Sequence, residues 1–297
     1  MMDDIKKSMR VGFMGFYPSP PEITFEQKSE WMINKVAELG CNVTQVFLPP
    51  DDEKINRLYE LSKSKGVELE VGAPFTLWQL TGSNAAQARQ DLERVIAGMK
   101  KLDCKIMRTG YGRLQIDTSR YNKNIPVWEH MKKLADNLKE AAKIVEDHGV
   151  YLAIENHCDF KAVELAEIFD MVGSPNVGCA LDTANGFTVF SDPNDDVKIL
   201  APYAITTHIK DMVVLKDPIG WRIPFYVVGC ALGEGHVDIP AAIDELAKKS
   251  PHAKGLHLII EVGWVENDPE WDRAQIDANM KSIFDRSIEY LKKLVWA

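Results

Sequence analysis

No apolar run in the 297 residues approaches the ~20 needed to cross a bilayer. Residues 1–10 are polar and lack the apolar centre of a secretory signal. Cysteine is scarce: Cys41, Cys104, Cys158, Cys179 and Cys230 are five in number and irregularly spaced, which excludes a disulfide framework and a Cx2C zinc site. Reduced thiols and a cytoplasmic location are expected, with no membrane partner. Positive charge is also short, 35 Lys and Arg against 44 Asp and Glu, a formal net charge of −9. That balance argues against a nucleic-acid partner, because phosphate neutralisation dominates such affinity. No GxGxxG or GxxxxGK[ST] loop follows the first apolar run, where Gly12 and Gly15 lie too early and too isolated, so a nucleotide-binding open sheet is disfavoured.

What is present is alternation. Short apolar runs at 9–16, 42–49, 67–74, 105–112, 150–157, 177–185, 204–211 and 257–264 are separated by amphipathic stretches. The helices are expected at 24–40, 52–65, 84–102, 126–148, 162–172, 195–203, 239–249 and 271–294. Near-continuous apolar strands suit a parallel sheet buried on both faces. Eight strand–helix units without a break in composition predict an α/β fold, a (β/α)8 TIM barrel in a single domain spanning 1–297. A doubly wound open sheet is the alternative. One irregular segment, 217–238, follows the seventh strand and reads as an active-site insertion loop.

The chemistry-bearing residues fall at strand ends. Glu155 (AIENH), Asp182 (ALDTAN), His208 (TTHIKD) and Glu261 (IIEVGW) close strands five to eight. In a barrel these positions converge at the C-terminal rim, where catalytic residues gather. A carboxylate after an apolar run is costly to bury unpaired. One divalent cation solves that cost for three carboxylates, and oxygen donors with one imidazole suit Mn²⁺ first, then Mg²⁺, Co²⁺ or Zn²⁺. The ordinary alternative is four strand-end residues held in salt bridges.

Period-two alternation puts His157 beside Glu155, and Lys210 above His208 with Thr206 a layer below. His157 reads as a general base or substrate hydrogen-bond donor, or else as a structural histidine. Lys210 reads as an electrophile or sugar-oxygen ligand, or else as a salt bridge with Asp211 or a site carboxylate. Arg108, ending strand four, is a candidate substrate residue, with support of the carboxylate cluster the favoured role. In the GEGHVDIP segment Asp238 reads as an N-cap, while Glu234 and His236 are weaker candidates to face the site. Of the aromatics near the rim (Tyr17, Phe75, Trp78, Tyr111, Trp221, Phe225, Trp264), Phe75 and Trp264 are the expected substrate walls. Cys158 should point away from the site.

At ENHCDF, LDTAN, HIKD and LGEGHVD the sequence resembles the xylose-isomerase-like TIM-barrel superfamily of sugar isomerases and epimerases, strongest from Tyr151 to Gly263. The resemblance implies a mononuclear divalent site at Glu155, Asp182, His208 and Glu261. In ketose 3-epimerases of that superfamily the two metal-bound glutamates also shuttle the proton, a role that would fall to Glu155 and Glu261. Two positions depart: Lys161 stands where those epimerases have a second Glu, and Asn185 where they have a His.

The expected function is therefore a metal-dependent sugar isomerase or epimerase, acting by proton abstraction beside a carbonyl through a metal-stabilised enediolate. The alternative is a lyase or dehydratase acting on a keto-sugar, keto-glycoside or inosose by β-elimination from the same intermediate. An endonuclease-IV-type phosphodiesterase is disfavoured, since strands two and three end in FLPP and GAPF without histidine. The partner is a small-molecule carbohydrate, and the resemblance adds a homo-oligomer.

Overall fold

The computed structural model describes residues 2–111, 120–217 and 224–297. Trp221, Gly112 and part of the 217–238 segment lie outside them. The predicted alternation closes into one barrel. Its strands are β1 (Arg10–Phe13), β2 (Val43–Val46), β3 (Glu68–Gly72), β4 (Ile106–Gly110), β5 (Tyr151–Glu155), β6 (Val177–Asp182), β7 (Ala204–Ile209) and β10 (His257–Ile260). They pair in parallel, in the closed order β1-β10-β7-β6-β5-β4-β3-β2.

The helices around the barrel are α2 (Lys28–Glu38), α3 (Asp52–Lys65), α4 (Ala85–Lys101), α5 (Val127–His148), α6 (Ala162–Val172), α7 (Pro193–Leu200), α8 (Ile239–Lys249) and α9 (Arg273–Trp296). The bounds expected for α3, α6 and α8 hold without change. α2 begins four residues late, because Thr24 uses its own N–H and hydroxyl on Gln27 Oε1 in a local turn that precedes the helical ladder. A polar N-terminal stretch not expected to be regular forms α1 (Met2–Ser8), whose Lys6 pairs with Asp244 of α8.

The larger difference lies after β7. The irregular segment begins earlier than residue 217: β8 (Asp211–Lys216) and β9 (Phe225–Cys230) form an antiparallel hairpin outside the barrel. Asp211 anchors its base by accepting the backbone N–H groups of Met212, Gly233, Gly235 and Val237. Gly229 lets β9 press on the loop after β10, since a Cβ there would sit 1.9 Å from the Gly263 carbonyl oxygen. Gly229 N–H then donates to the Trp264 carbonyl at 3.1 Å. The hairpin thus fixes the backbone that carries Trp264.

The register places the rim residues. Asp182 on β6 pairs with His208 on β7, and Gly110 on β4 pairs with Glu155 on β5. Ile260 pairs with Ile209, so Glu261 and Lys210 emerge side by side just above the strands. The barrel interior below them is polar. The buried Glu70 of β3 accepts from the Thr206 hydroxyl and meets His257 Nδ1 at 2.7 Å. The five cysteines are free thiols, and no described helix is long and apolar enough to cross a membrane.

Candidate metal centre

Four strand ends bring Glu155, Asp182, His208 and Glu261 together. One ligand-capable atom from each lies within 4.8 Å of all the others, the one such cluster of three or more among the described residues. Glu155, Asp182 and His208 are buried and Glu261 nearly so. His208 Nδ1 stands 3.2 Å from Glu155 Oε1 and 2.9 Å from Glu261 Oε2. Lys210, 1% exposed, places Nζ 2.9 Å from Asp182 Oδ2, 3.1 Å from Glu261 Oε1 and 3.2 Å from Asn185 Oδ1.

These close approaches do not satisfy the groups. His208 Nδ1, Asp182 Oδ2 and Glu261 Oε2 are buried without a partner in hydrogen-bonding geometry. Buried polar atoms are nearly always paired, and three orphans in one cluster point to a missing partner. All three belong to the predicted ligand set. Three carboxylates and one imidazole are a donor set that holds a divalent cation, so the residues fit the group the sequence implied.

The rest of each ligand is held in place. Asp182 Oδ1 accepts the backbone N–H of Ala184 and Asn185 at 2.8 and 2.9 Å. Asn156, which sequence reasoning passed over, brackets the Asp182 backbone: its Nδ2 donates to the carbonyl and its Oδ1 accepts the N–H. Asn185 donates Nδ2 to Glu155 Oε1 at 3.3 Å, so it links Glu155 to Lys210.

Electrostatics follow from the crowding. Burial pushes the Glu155 carboxyl up, but the His208 and Arg108 charges outweigh this and hold it well below the usual range. Glu261 is likewise pulled down to about 2, burial being overcome by Lys210 and His208. Asp182 is raised by burial and by its two carboxylate neighbours. His208 is disfavoured as a cation by burial, yet Glu155 and Glu261 carry it up to about 9. Lys210 is held well above its ordinary value: burial opposes its charge, and Asp182 and Glu261 more than compensate. Without a metal the cluster is balanced by its own cations.

Of the other expected residues, Lys210 joins the cluster. Its partners are Asp182 and Glu261, not Asp211, whose carboxylate is taken by backbone amides. His157 lies on the Glu155 side: a Cβ on Gly110 would be 3.7 Å from His157 Cβ and 3.9 Å from Glu155 Oε2. Its imidazole is half-buried, with no hydrogen-bond partner among the described residues. Arg108 supports the cluster, with Nη1 3.6 Å from Glu155 Oε2 and Nε donating to Gln45 Oε1 at 2.7 Å. Trp264 roofs the centre. Lys210 Nζ is 4.8 Å from its ring centroid and the His157 ring 6.5 Å. It holds φ at +52° while 48% exposed, a strained backbone for a bulky residue of the kind that persists at functional sites.

Phe75 stands 89% exposed after β3, with no ring contact to a cluster residue among the described residues. His236 is not brought to the cluster either: it is exposed in the turn after β9, with Nδ1 accepting the Val214 N–H. Glu234 pairs outward with Arg286, and Asp238 caps α8 as expected. Cys158 is buried, with its thiol pushed up to about 11 by burial, which fits no nucleophile.

Residues 33–294 match the family model described as xylose isomerase-like TIM barrel. Among curated proteins, the 3-oxo-isoapionate decarboxylase of Pectobacterium atrosepticum is 23% identical over 237 residues, 77% of this chain and 76% of that protein. Among solved structures, D-psicose 3-epimerase from Clostridium cellulolyticum with D-tagatose superposes with TM-score 0.68 at 20% identity, covering 95% of this chain and 99% of that one. A xylose isomerase-like TIM barrel protein from Mycobacterium smegmatis in complex with magnesium gives 0.66 at 15% identity, covering 98% of both chains.

Proposed function

The chain belongs to the xylose isomerase-like TIM-barrel family, and on that premise we propose that it is a divalent-metal-dependent sugar isomerase or epimerase. The observation that carries the reading is the convergence of Glu155, Asp182, His208 and Glu261 with three of their buried ligand atoms unpartnered. Mn²⁺ is the ion to supply first. When bound, it would act as a Lewis acid on the substrate carbonyl and offset charge developing on oxygen. The chain's own residues do the remainder. Glu155 and Glu261, both held ionised, take the proton from the carbon beside the carbonyl and return it. Lys210, kept cationic, faces the same space and stabilises an enediolate oxygen. Trp264 covers the site against water and offers its ring to an apolar sugar face.

A second reading has its own support. His157 has no hydrogen-bond partner among the described residues and its ring lies 6.5 Å from that of Trp264, so it is free to act as a base. Lys161, at the position of the epimerases' second glutamate, is used as the N-cap residue of α6, with its N–H on Glu164. Loss of a leaving group from the carbon next but one would make the enzyme a lyase or dehydratase, and the similarity to a protein named a decarboxylase leans the same way.

The test is a screen of sugars and keto-sugars with Mn²⁺ in heavy water, followed by mass spectrometry. Deuterium uptake without loss of mass identifies isomerisation or epimerisation. Loss of water or of an aglycone identifies elimination. No turnover and no exchange on any of them would contradict both.

A further inference from the structure

We infer that the lower end of the barrel carries a second binding site, for a phosphate monoester, in the cavity between Lys7, Arg10, Asn42 and Trp296. It lies at the N-terminal ends of β1 and β2, opposite the metal centre, and stands independently of that centre.

The cavity measures ≈ 410 Å³ and is lined by Lys7, Met9, Arg10, Gly40, Asn42 and Trp296. That volume falls in the range of small-molecule sites. Among the described residues no carboxylate lines it, although Asp and Glu outnumber Lys and Arg by 44 to 35 in the chain.

What the cavity offers is donors. Arg10 spends Nε on Glu68 Oε1 at 2.7 Å, and its two Nη groups have no partner among the described residues. The other oxygen of Glu68 is taken by His257 Nε2 at 3.0 Å. Asn42 accepts the Val11 N–H on Oδ1 at 2.9 Å, which leaves Nδ2 as the free end of its amide. Lys7 makes no ion pair among the described residues; its charge reaches Asp4 one turn back on α1, but Asp4 does not line the cavity. A Cβ on Gly40 would sit 2.9 Å from Lys292 Nζ, so a second ammonium borders the cavity. The acceptors nearby are used. The Met9 carbonyl takes the Trp296 Nε1–H at 3.0 Å, and the Asn42 carbonyl takes the Glu68 N–H at 2.8 Å.

A phosphoryl group supplies what is missing, negative charge and three acceptor oxygens. Arg10 presents the planar edge that pairs with two of them, with Lys7 and Asn42 for the third. The indole of Trp296, fixed by its hydrogen bond, and the buried Met9 form an apolar wall. That wall suits the organic part of an ester and gives a free phosphate ion nothing.

The test uses chelator-treated protein, so that no metal ion competes for phosphate. Phenyl phosphate and inorganic phosphate are titrated by calorimetry. The Trp296 indole N–H is followed in ¹H–¹⁵N spectra, assigned by its loss in Trp296→Phe. One phenyl phosphate should bind per chain and shift the Trp296 signal, and inorganic phosphate should bind more weakly. Lys7→Gln and Arg10→Gln should each weaken binding about tenfold or more, as loss of a charge-assisted hydrogen bond does. Lys7 is exposed on α1, so its variant decides the matter even if Arg10→Gln, which frees Glu68, fails to fold. A Trp296 signal unmoved by phenyl phosphate, or equal binding by Lys7→Gln, would overturn the site. So would binding lost in Arg108→Gln but kept in Lys7→Gln, which would put the anion at the mouth. Equal affinity for the two phosphates would overturn the choice of an ester.

Discussion

The barrel buries the same chemistry twice. At its mouth stand His208, Glu155 and Glu261, with Asp182 beside them. A layer lower stand the buried His257 and Glu70, with the exposed Glu68 beside them. The lower group is complete: His257 Nδ1 meets Glu70 at 2.7 Å, Nε2 meets Glu68 at 3.0 Å, and Thr206 and Gln45 fill the other acceptors of Glu70. The upper group has close charges but leaves three buried atoms orphaned. Two carboxylates around an imidazole are thus not a site by composition. The upper group differs in gathering three carboxylates around one imidazole, with three buried ligand atoms short of a hydrogen bond at a single point.

Four experiments act on that contrast. The largest effect is expected at the mouth. Glu155→Gln should lower turnover by about 10²–10³-fold or more, as loss of a charge aimed at the reacting atoms does. The metal-free protein should lose some stability as well, because His208 and Arg108 hold that carboxylate ionised in the fold. Turnover assays and urea unfolding on the same preparation check both halves; unchanged turnover would sink the role.

The same change below should act on stability alone. Glu70→Gln breaks a completed buried pair and leaves an amide facing the Gln45 amide, so unfolding free energy should fall by about 3–5 kcal/mol. Chemical denaturation measures it, and a loss below about 1 kcal/mol would mean the lower group is not a structural pair.

Next comes protection by the ion. Mn²⁺ at a hundredfold excess over its dissociation constant should stabilise the protein by about 2.7 kcal/mol. EDTA should reverse this, and Asp182→Asn should abolish it. Glu70→Gln should retain most of it. Thermal unfolding with and without the ion separates the two ends.

The smallest effect is a pH dependence of the lower pair. Burial disfavours the His257 cation, but Glu68 and Glu70 raise the group from 6.5 to about 9. Its contribution is fully present below pH 6.5 and is lost as pH rises through about 9. The stability gap between the native chain and His257→Gln should therefore shrink from pH 6 to pH 10; a gap that widens would refute the pairing.

The upper centre was readable in the sequence, and the lower one was not. Glu155, Asp182, His208 and Glu261 each end an apolar run, and the spacing of the βα units stacks those ends on neighbouring strands. Glu70 and Gln45 sit inside their runs, and only the barrel register shows which way they point. The fold was legible for the same reason as the ligands, since α3, α6 and α8 carry clean periodicity. The hairpin was missed because its valines (Val213, Val214, Val227 and Val228) flank a segment that reads as loop. His236 was drawn outward by that hairpin, where Val214 takes its Nδ1. Lys210 found Asp182 and Glu261 because Asp211 was already committed to four backbone amides. None of these allocations is local in sequence.

The central claim is that the mouth of the barrel is one divalent-metal centre. Titration of the chelator-treated protein with Mn²⁺, followed by electron paramagnetic resonance of the free ion, tests it without any knowledge of the substrate. One ion should bind per chain, and none to Asp182→Asn. No binding by the unaltered chain, or equal binding by the Asp182→Asn variant, would contradict it.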